Sequence, residues 1–208
     1  MMAKRRRWFP IVYMFLVTAA FSSVVIGFTA ATKERVQANE RLAFERAVVA
    51  VLPQLYEPGL SGTEVHRRFV EQVSEPESGT GGAYTLKKGG QIVGYALPFD
   101  GQGFWAPIRG VIGIDSDEET VTGIWFYEQT ETPGLGAEIV KPAFRGQFEG
   151  KQIAWEGDPI DMLRPGTELG ENDVHAVTGA TGTSVRVEGI INRAVNEWQE
   201  DVRKEDGA

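Results

Sequence analysis

The chain has 208 residues, enough for one ordinary domain with an appendage, and it contains no cysteine. The lack of cysteine excludes disulfide bonds, iron–sulfur clusters held by this chain and the usual attachment of c-type haem. Because His66 and His175 are the only histidines, haem held by two histidines is also disfavoured, so any electron carrier must be organic. With 29 acidic against 21 basic side chains, the chain is not expected to bind nucleic acid or anionic lipid surfaces.

The N-terminal region predicts a single membrane span. The basic run Lys4-Arg5-Arg6-Arg7 precedes residues 8–31, which carry no charge and would extend roughly 36 Å as a helix, enough for the hydrocarbon core. The positive-inside rule places residues 1–7 in the cytoplasm as a basic tail and exports the rest. A cleaved signal peptide ending at Thr29-x-Ala31 is the alternative, but its apolar region is usually about 7–15 residues long. We therefore expect a retained transmembrane helix over residues 8–31.

Residues 32–80 are predicted to form a juxtamembrane, largely helical segment. From Thr32 to Leu52 charged residues interleave with an apolar stripe, and Pro53 is expected to end this helix. Residues 61–73 form a weaker amphipathic segment, and residues 74–82 have the composition of a loop. His66 stands beside two arginines, so we expect it on the solvated surface.

From Ala83 the pattern changes to the alternation typical of strands. Residues 84–87 and 91–97 flank Lys88-Gly89-Gly90, which predicts a hairpin, and residues 107–115 and 120–128 predict a second pair around an acidic turn. A Gly-aromatic-Pro bend, residues 101–108, lies between the pairs. Residues 138–147 predict a short helix interrupted by Pro142, and residues 148–170 an irregular surface connection. We expect an α+β fold, in which one N-terminal transmembrane helix precedes an exported domain, residues 81–208, with one face of a small antiparallel sheet covered by helices.

Two short segments in this domain favour close contact between backbone and ligand. Glu131-Thr132-Pro133-Gly134-Leu135-Gly136 is by itself a tight turn whose glycines permit positive φ. Val177-Thr178-Gly179-Ala180-Thr181-Gly182-Thr183-Ser184 consists mostly of small and hydroxylated residues and precedes an amphipathic helix, for which Thr183 or Ser184 is a natural N-cap. A helix start offers unpaired N–H groups and a positive dipole end, which can hold a phosphate. A turn with an ordinary N-cap is the alternative interpretation.

The second segment resembles the flavinylation motif of the FMN-binding domain family, in which Ser/Thr-Gly-Ala-Thr is followed by further hydroxyl residues. The first segment is similar to the family's other hallmark, and the two occur in the expected order and spacing. This family includes the C-type subunit of the Na+-translocating NADH:quinone reductase and the G-type subunit of the Rnf complex. The resemblance implies that a flavin transferase attaches FMN by a phosphoester to Thr181. It also implies that the flavin site includes Thr178, Gly179, Ala180, Thr183, Ser184, Glu131, Thr132, Pro133, Gly134, Leu135 and Gly136.

One position departs from the family pattern. The family usually has an aspartate three residues before the Ser/Thr-Gly-Ala-Thr tetrad, and here that position is His175, with Asp173 two residues further upstream. A lone histidine between apolar neighbours is more typical of a structural residue than of a ligand. The difference bears on how efficiently Thr181 is flavinylated.

The resemblance implies an electron-relay subunit of an ion-translocating complex in the inner membrane, and the chain length suits the Rnf G-type subunit. The implied partners are the other subunits of such a complex and the flavin transferase. The sequence shows no acid–base pair, activated nucleophile or metal cluster, so we expect no catalytic residue and no metal. Two alternatives are a tethered scaffold without flavin and a flavin relay in another exported respiratory system.

Overall fold

The computed structural model of the chain describes residues 8–206, so the predicted basic tail, residues 1–7, lies outside the described residues. Two compact units divide between Arg41 and Leu42. Helix α1, Phe9–Val51, supplies the first unit and contributes its last turns to the second. Within the described chain, α1 is the one helix long and apolar enough to cross a membrane, and its most apolar stretch is not buried by the protein. The helix ends two residues before Pro53, as predicted.

A five-stranded antiparallel sheet is the centre of the second unit, and its strands follow chain order. The strands are β1 (Val73–Ser74), β2 (Tyr84–Lys88), β3 (Gln91–Gln102), β4 (Pro107–Asp115) and β5 (Val121–Glu128). Both predicted hairpins are confirmed. Gly89 and Gly90, with φ of 61° and 85°, turn the chain between β2 and β3, a conformation that glycine adopts without strain. The predicted domain boundary at residue 81 stays a prediction.

Helices cover both faces of this sheet, whereas the sequence predicted cover on one face only. The amphipathic helix α4, Thr181–Asp206, packs on the face that presents Ile124 and Phe126. The last turns of α1 and helix α2, Gly62–Gln72, pack on the face that presents Trp125 and Tyr127. Side chains alternate between faces along a strand, so a strand with apolar residues at consecutive positions needs cover on both sides.

Helix α2 begins where the sequence indicated, because the Ser61 hydroxyl accepts a hydrogen bond from the Glu64 N–H at 3.2 Å. His66 of this helix is half exposed, in agreement with the expected surface position. Its Nδ1 nevertheless lies 2.8 Å from Oε2 of Glu45, a residue of α1 that is only 2% exposed. His66 therefore joins α2 to the end of α1.

The connection between β5 and α4 is more ordered than predicted. It contains a 3-10 helix, Gly136–Val140, and a short helix α3, Pro142–Arg145, so Pro142 separates two helical pieces as expected. It also contains two three-residue strands, β6 (Asp161–Leu163) and β7 (Asp173–His175), which pair in parallel. The prediction of an irregular surface connection over residues 148–170 is wrong, because Phe148, Ile153 and Ile160 are buried in the core.

Candidate functional site

The two motif segments meet at the N-terminal end of α4 and form a cleft with a third segment, the bend that precedes β4. The cavity measures about 220 Å³. Its lining residues are Phe104, Trp105, Glu131, Thr132, Leu135, Gly136, Gly179, Ala180, Thr181, Gly182 and Thr183. Eight of these were candidates from sequence. We call this cavity the cleft.

Thr181 is the first residue of α4 and is exposed in the cleft. Within residues 8–206, the backbone N–H groups of Thr181, Gly182 and Thr183 donate no hydrogen bond to another protein group, and the first N–H bonded into the helix is that of Ser184, which reaches the Ala180 carbonyl at 3.0 Å. Free N–H groups at a helix start, together with the helix dipole, attract an anion such as a phosphate. The exposed Thr181 hydroxyl therefore lies beside N–H groups that are suited to bind a phosphate group.

The prediction that Thr183 or Ser184 is the N-cap is wrong, since both lie in the first turn of α4. The Ser184 hydroxyl instead accepts from the Val177 N–H at 3.0 Å and donates to the Ala180 carbonyl at 3.1 Å, which closes the loop before the helix. Gly179 takes a φ of 77° in this loop, in the left-handed region that favours glycine. Ser184 is buried and shapes the loop without lining the cleft.

Thr183 and Glu131 tie the two motifs together. The Thr183 hydroxyl donates to Oε2 of Glu131 at 2.7 Å, and both residues are 5% exposed. The two motifs also approach each other at Gly179, where an added Cβ would lie 3.2 Å from Cδ2 of Leu135. The sequence predicted the proximity of these segments from the family resemblance, and the structure brings them into direct contact.

Phe104 and Trp105 form a wall of the cleft that sequence reasoning did not assign to the site. The rings pack edge to face with centroids 5.3 Å apart, and they are 51% and 66% exposed. The indole N–H of Trp105 donates to the Thr132 hydroxyl at 3.2 Å. The available signal was two adjacent large aromatic residues in a glycine-flanked bend. Large aromatic side chains that stay exposed beside a cavity are typical of a binding surface.

Three further predicted residues lie outside the cleft. Thr178 and Gly134 line a separate, more open cavity of about 500 Å³, which also includes Lys141. Pro133 is an exposed turn residue. The hydroxyl of Thr178 is therefore exposed but belongs to a different cavity from that of Thr181.

His175, which replaces the family's usual aspartate, lies in β7 and has a structural role. Its Nε2 lies 2.9 Å from the Thr167 carbonyl, and its backbone exchanges two hydrogen bonds with the Gln147 side chain. Asp173 accepts from the Gly170 N–H at 2.7 Å. Neither residue lines the cleft.

The cleft fits part of an FMN molecule. Its volume lies below the roughly 300–1,000 Å³ of pockets that enclose small molecules, so a bound FMN would remain partly in solvent. The aromatic and aliphatic side chains of Phe104, Trp105 and Leu135 suit a flat ring, and the open N–H groups at the start of α4 suit a phosphate. The residues present therefore match both parts of this cofactor.

Two solved structures share this fold over nearly all of their own length. The C-type subunit of the Na+-translocating NADH-quinone reductase from Parabacteroides distasonis matches with a TM-score of 0.66 at 24% identity, covering 83% of this chain and 96% of that one. A structure named NqrC from Shewanella oneidensis matches with a TM-score of 0.64 at 19% identity, covering 81% of this chain and 99% of that one. At these identities the likeness establishes the fold.

Sequence relatives point to the same proteins over a shorter region. The C-type subunit of the Na+-translocating NADH-quinone reductase of Vibrio vulnificus is 40% identical over 108 residues, which is 50% of this chain and 42% of the relative. The corresponding subunit of Pasteurella multocida is 32% identical over 137 residues, or 65% of this chain and 48% of the relative. The chain thus spans less than half the length of these relatives. The model of the FMN-binding domain family matches residues 103–196, which contain most of the bend, both motifs and most of α4, and this part of the chain is therefore similar to the FMN-binding domain family.

Proposed function

We propose that this chain holds FMN in the cleft, joined by a phosphoester to Thr181, and relays electrons as a membrane-anchored subunit of an ion-translocating NADH:quinone reductase type of complex. The observation that carries the proposal is an exposed threonine hydroxyl beside three free backbone N–H groups at a helix start, opposite an exposed aromatic wall. The names of the curated relatives support a complex of this class. The Rnf G-type assignment stays a prediction.

The local structure favours Thr181 over the other hydroxyls of its motif as the attachment point. Thr183 and Ser184 are buried, and each donates its hydroxyl proton to a protein acceptor. Thr178 is exposed but lines the other cavity. Among these four residues, Thr181 alone combines an exposed hydroxyl with the open N–H groups of the first turn.

The chain's own residues would bind and orient the cofactor. The N–H groups of residues 181–183 would hold the phosphate oxygens, and Phe104, Trp105 and Leu135 would contact the ring. When bound, FMN supplies transfer of one or two electrons, and the protein supplies its position and environment. Among the residues that line the cleft, Glu131 is the one with a titratable side chain, and it is engaged by protein donors. A covalent bond would keep the flavin in an exported domain, where lost cofactor is not replaced.

Intact mass measurement tests the attachment. The protein is co-expressed with a flavin transferase, and the wild type is expected to gain the mass of one FMN minus one water. Thr181→Val should abolish this gain and the flavin fluorescence of the denatured band, whereas Thr178→Val should retain both. A wild-type mass equal to that of the amino acids alone would refute the proposal, and so would a Thr181→Val band as fluorescent as wild type.

The proposed topology places the N-terminus in the cytoplasm and the domain outside. Because the natural chain has no cysteine, a single introduced cysteine reports its own side of the membrane. Glu200→Cys, on the exposed surface of α4, should react with a membrane-impermeant maleimide in cells whose outer membrane has been permeabilised. Lys4→Cys should react only after the inner membrane is lysed. The opposite pattern would show that the domain faces the cytosol.

A further inference from the structure

Three donors from two distant segments converge on one buried carboxylate. Oε1 of Glu131 accepts hydrogen bonds from the backbone N–H groups of Phe104 and Trp105, at 2.8 Å and 3.2 Å. Oε2 accepts from the Thr183 hydroxyl at 2.7 Å. The donors stand 27, 26 and 52 residues from Glu131 along the chain. A single side chain thus connects the aromatic wall to the first turn of α4.

The surrounding backbone is shaped to reach this carboxylate. A Cβ at Gly103 would lie 2.6 Å from Oε1 of Glu131, and a Cβ at Gly136 would lie 2.8 Å from Oε2. Both distances are too short for a real contact, so glycine at both positions lets the backbone approach the charge. The backbone N–H of Glu131 itself donates to Oε1 of Gln129 at 2.6 Å, which fixes the start of the loop.

A buried carboxylate is costly unless donors replace its water. The charge loses its hydration on burial, and hydrogen bonds to the charged oxygens are the interactions that offset this loss. The three donors compensate the charge only when the bend and the helix start are both in place. The carboxylate therefore couples the positions of these two segments.

We propose that Glu131 is the positioning residue of the flavin site, holding the Phe104–Trp105 wall at a fixed separation from the first turn of α4, where Thr181 presents its hydroxyl. This inference rests on the proposed function. Glu131 fixes the position of the Thr181 hydroxyl through its bond to Thr183 in the first turn of α4. It fixes the position of the aromatic wall through its bonds to the bend. Its negative charge, at the edge of the cleft, also opposes the gain of an electron by a bound flavin and so lowers its reduction potential.

Flavin incorporation in full-length protein tests the positioning role. Glu131→Ala, co-expressed with the transferase, is expected to carry at least tenfold less flavin per chain than wild type. Glu131→Gln keeps an acceptor for the two backbone N–H groups, and the Thr183 hydroxyl can rotate to accept from its amide, so incorporation should return to within about twofold of wild type. Glu128→Ala is the matched control, since that carboxylate is exposed and pairs with Arg109. Incorporation by Glu131→Ala equal to that of Glu128→Ala would overturn the proposal.

The reduction potential tests the effect of the Glu131 charge on the flavin separately from the positioning role. In flavinylated Glu131→Gln we expect a higher flavin potential, because the shape is kept while the charge is lost. A tenfold shift in the reduction equilibrium would correspond to about 30 mV for a two-electron couple. A potential equal to that of wild type would refute the effect of the Glu131 charge on the flavin.

Hydrogen exchange tests the same contact without flavin. In the Thr181→Val background, the peptide containing Phe104 and Trp105 should exchange at least tenfold faster when Glu131→Ala is added, and unchanged exchange would overturn the proposal.

Should Glu131→Ala fail to fold, Thr183→Val and Thr183→Ser test the proposal instead. Thr183→Val should lower flavin incorporation severalfold, and Thr183→Ser should not. A wild type without flavin would refute the proposed function, while the exchange result would still establish or reject the role of Glu131 in holding the bend.

Discussion

Asn192 of α4 offers a sharp test of how the fold holds the connection before β6. Its side chain accepts from the Ile160 N–H at 2.9 Å and donates to the Ile160 carbonyl at 2.8 Å. Asn192 is 5% exposed and Ile160 is 0% exposed, so Asn192→Ala leaves two buried backbone groups without a partner. Each such group costs about 1–3 kcal/mol.

We therefore expect Asn192→Ala to lower the free energy of unfolding by roughly 2–5 kcal/mol, after a gain of a few tenths from the better helix propensity of alanine. For a unit of this size the loss corresponds to a fall in Tm of roughly 4–20 °C. Circular dichroism of the full chain in detergent measures it. Asn196→Ala, one turn further and exposed, gains the same propensity and should leave Tm unchanged or slightly raised.

The variant Asn192→Asp adds a pH signature. Its carboxylate would face the Ile160 carbonyl, which raises the folded-state pKa of the new aspartate above its unfolded value of about 3.9. Stability is then present below the unfolded pKa and lost as pH rises through the folded pKa. The Tm deficit relative to wild type should therefore be larger at pH 8 than at pH 5. Equal Tm values for Asn192→Ala and Asn196→Ala, or a deficit of Asn192→Asp that does not change with pH, would refute this reasoning.

Three further substitutions probe other contacts. Burial raises the pKa of the Glu188 carboxyl, so the contribution of Glu188 to stability falls as pH rises above its unfolded pKa. Glu188→Gln keeps an acceptor oxygen and should therefore raise Tm at pH 7 and have no effect near pH 4. Gly179→Ala places a side chain at a φ of 77° and should cost about 1–2 kcal/mol with reduced flavin incorporation, whereas Gly189→Ala, with open space around its Cβ, should not destabilise. Arg145→Lys removes a planar guanidinium that lies 3.7 Å from the centroid of the Trp125 ring; denaturant titration should show a loss of about 0.5–2 kcal/mol, and an unchanged midpoint would contradict the stacking role.

The regular elements could be predicted because each has a local cause. The glycine pair at residues 89–90 and the acidic turn at residues 116–119 define two hairpins, and the apolar spacing from Val187 to Val202 defines α4. The apolar run of α1 and the stop at Pro53 are equally local. These signals depend on residues close together in the chain, so they can be recognised in a single sequence.

The remaining features depend on contacts between distant residues. Strands β6 and β7 have three residues each, too few for alternation to identify, and Asn192 of α4 holds the residue before β6 by a hydrogen bond to Ile160. The start of α4 could not be placed because Thr183 and Ser184 both suit an N-cap, whereas both lie inside the first turn and Ser184 bonds the preceding loop instead. The aromatic wall was missed because the bend bonds to Glu131, a residue far away in the sequence.

The cleft draws its three walls from segments that lie far apart in the chain, and the segment that carries Thr181 is the last of the three. A transferase that requires the assembled cleft would not modify chains in which α4 has not yet packed on the sheet. If Thr181 is modified as proposed, and only in the assembled cleft, the yellow colour of a preparation reports correctly folded molecules, and the ratio of flavin to protein becomes an assay of folding yield.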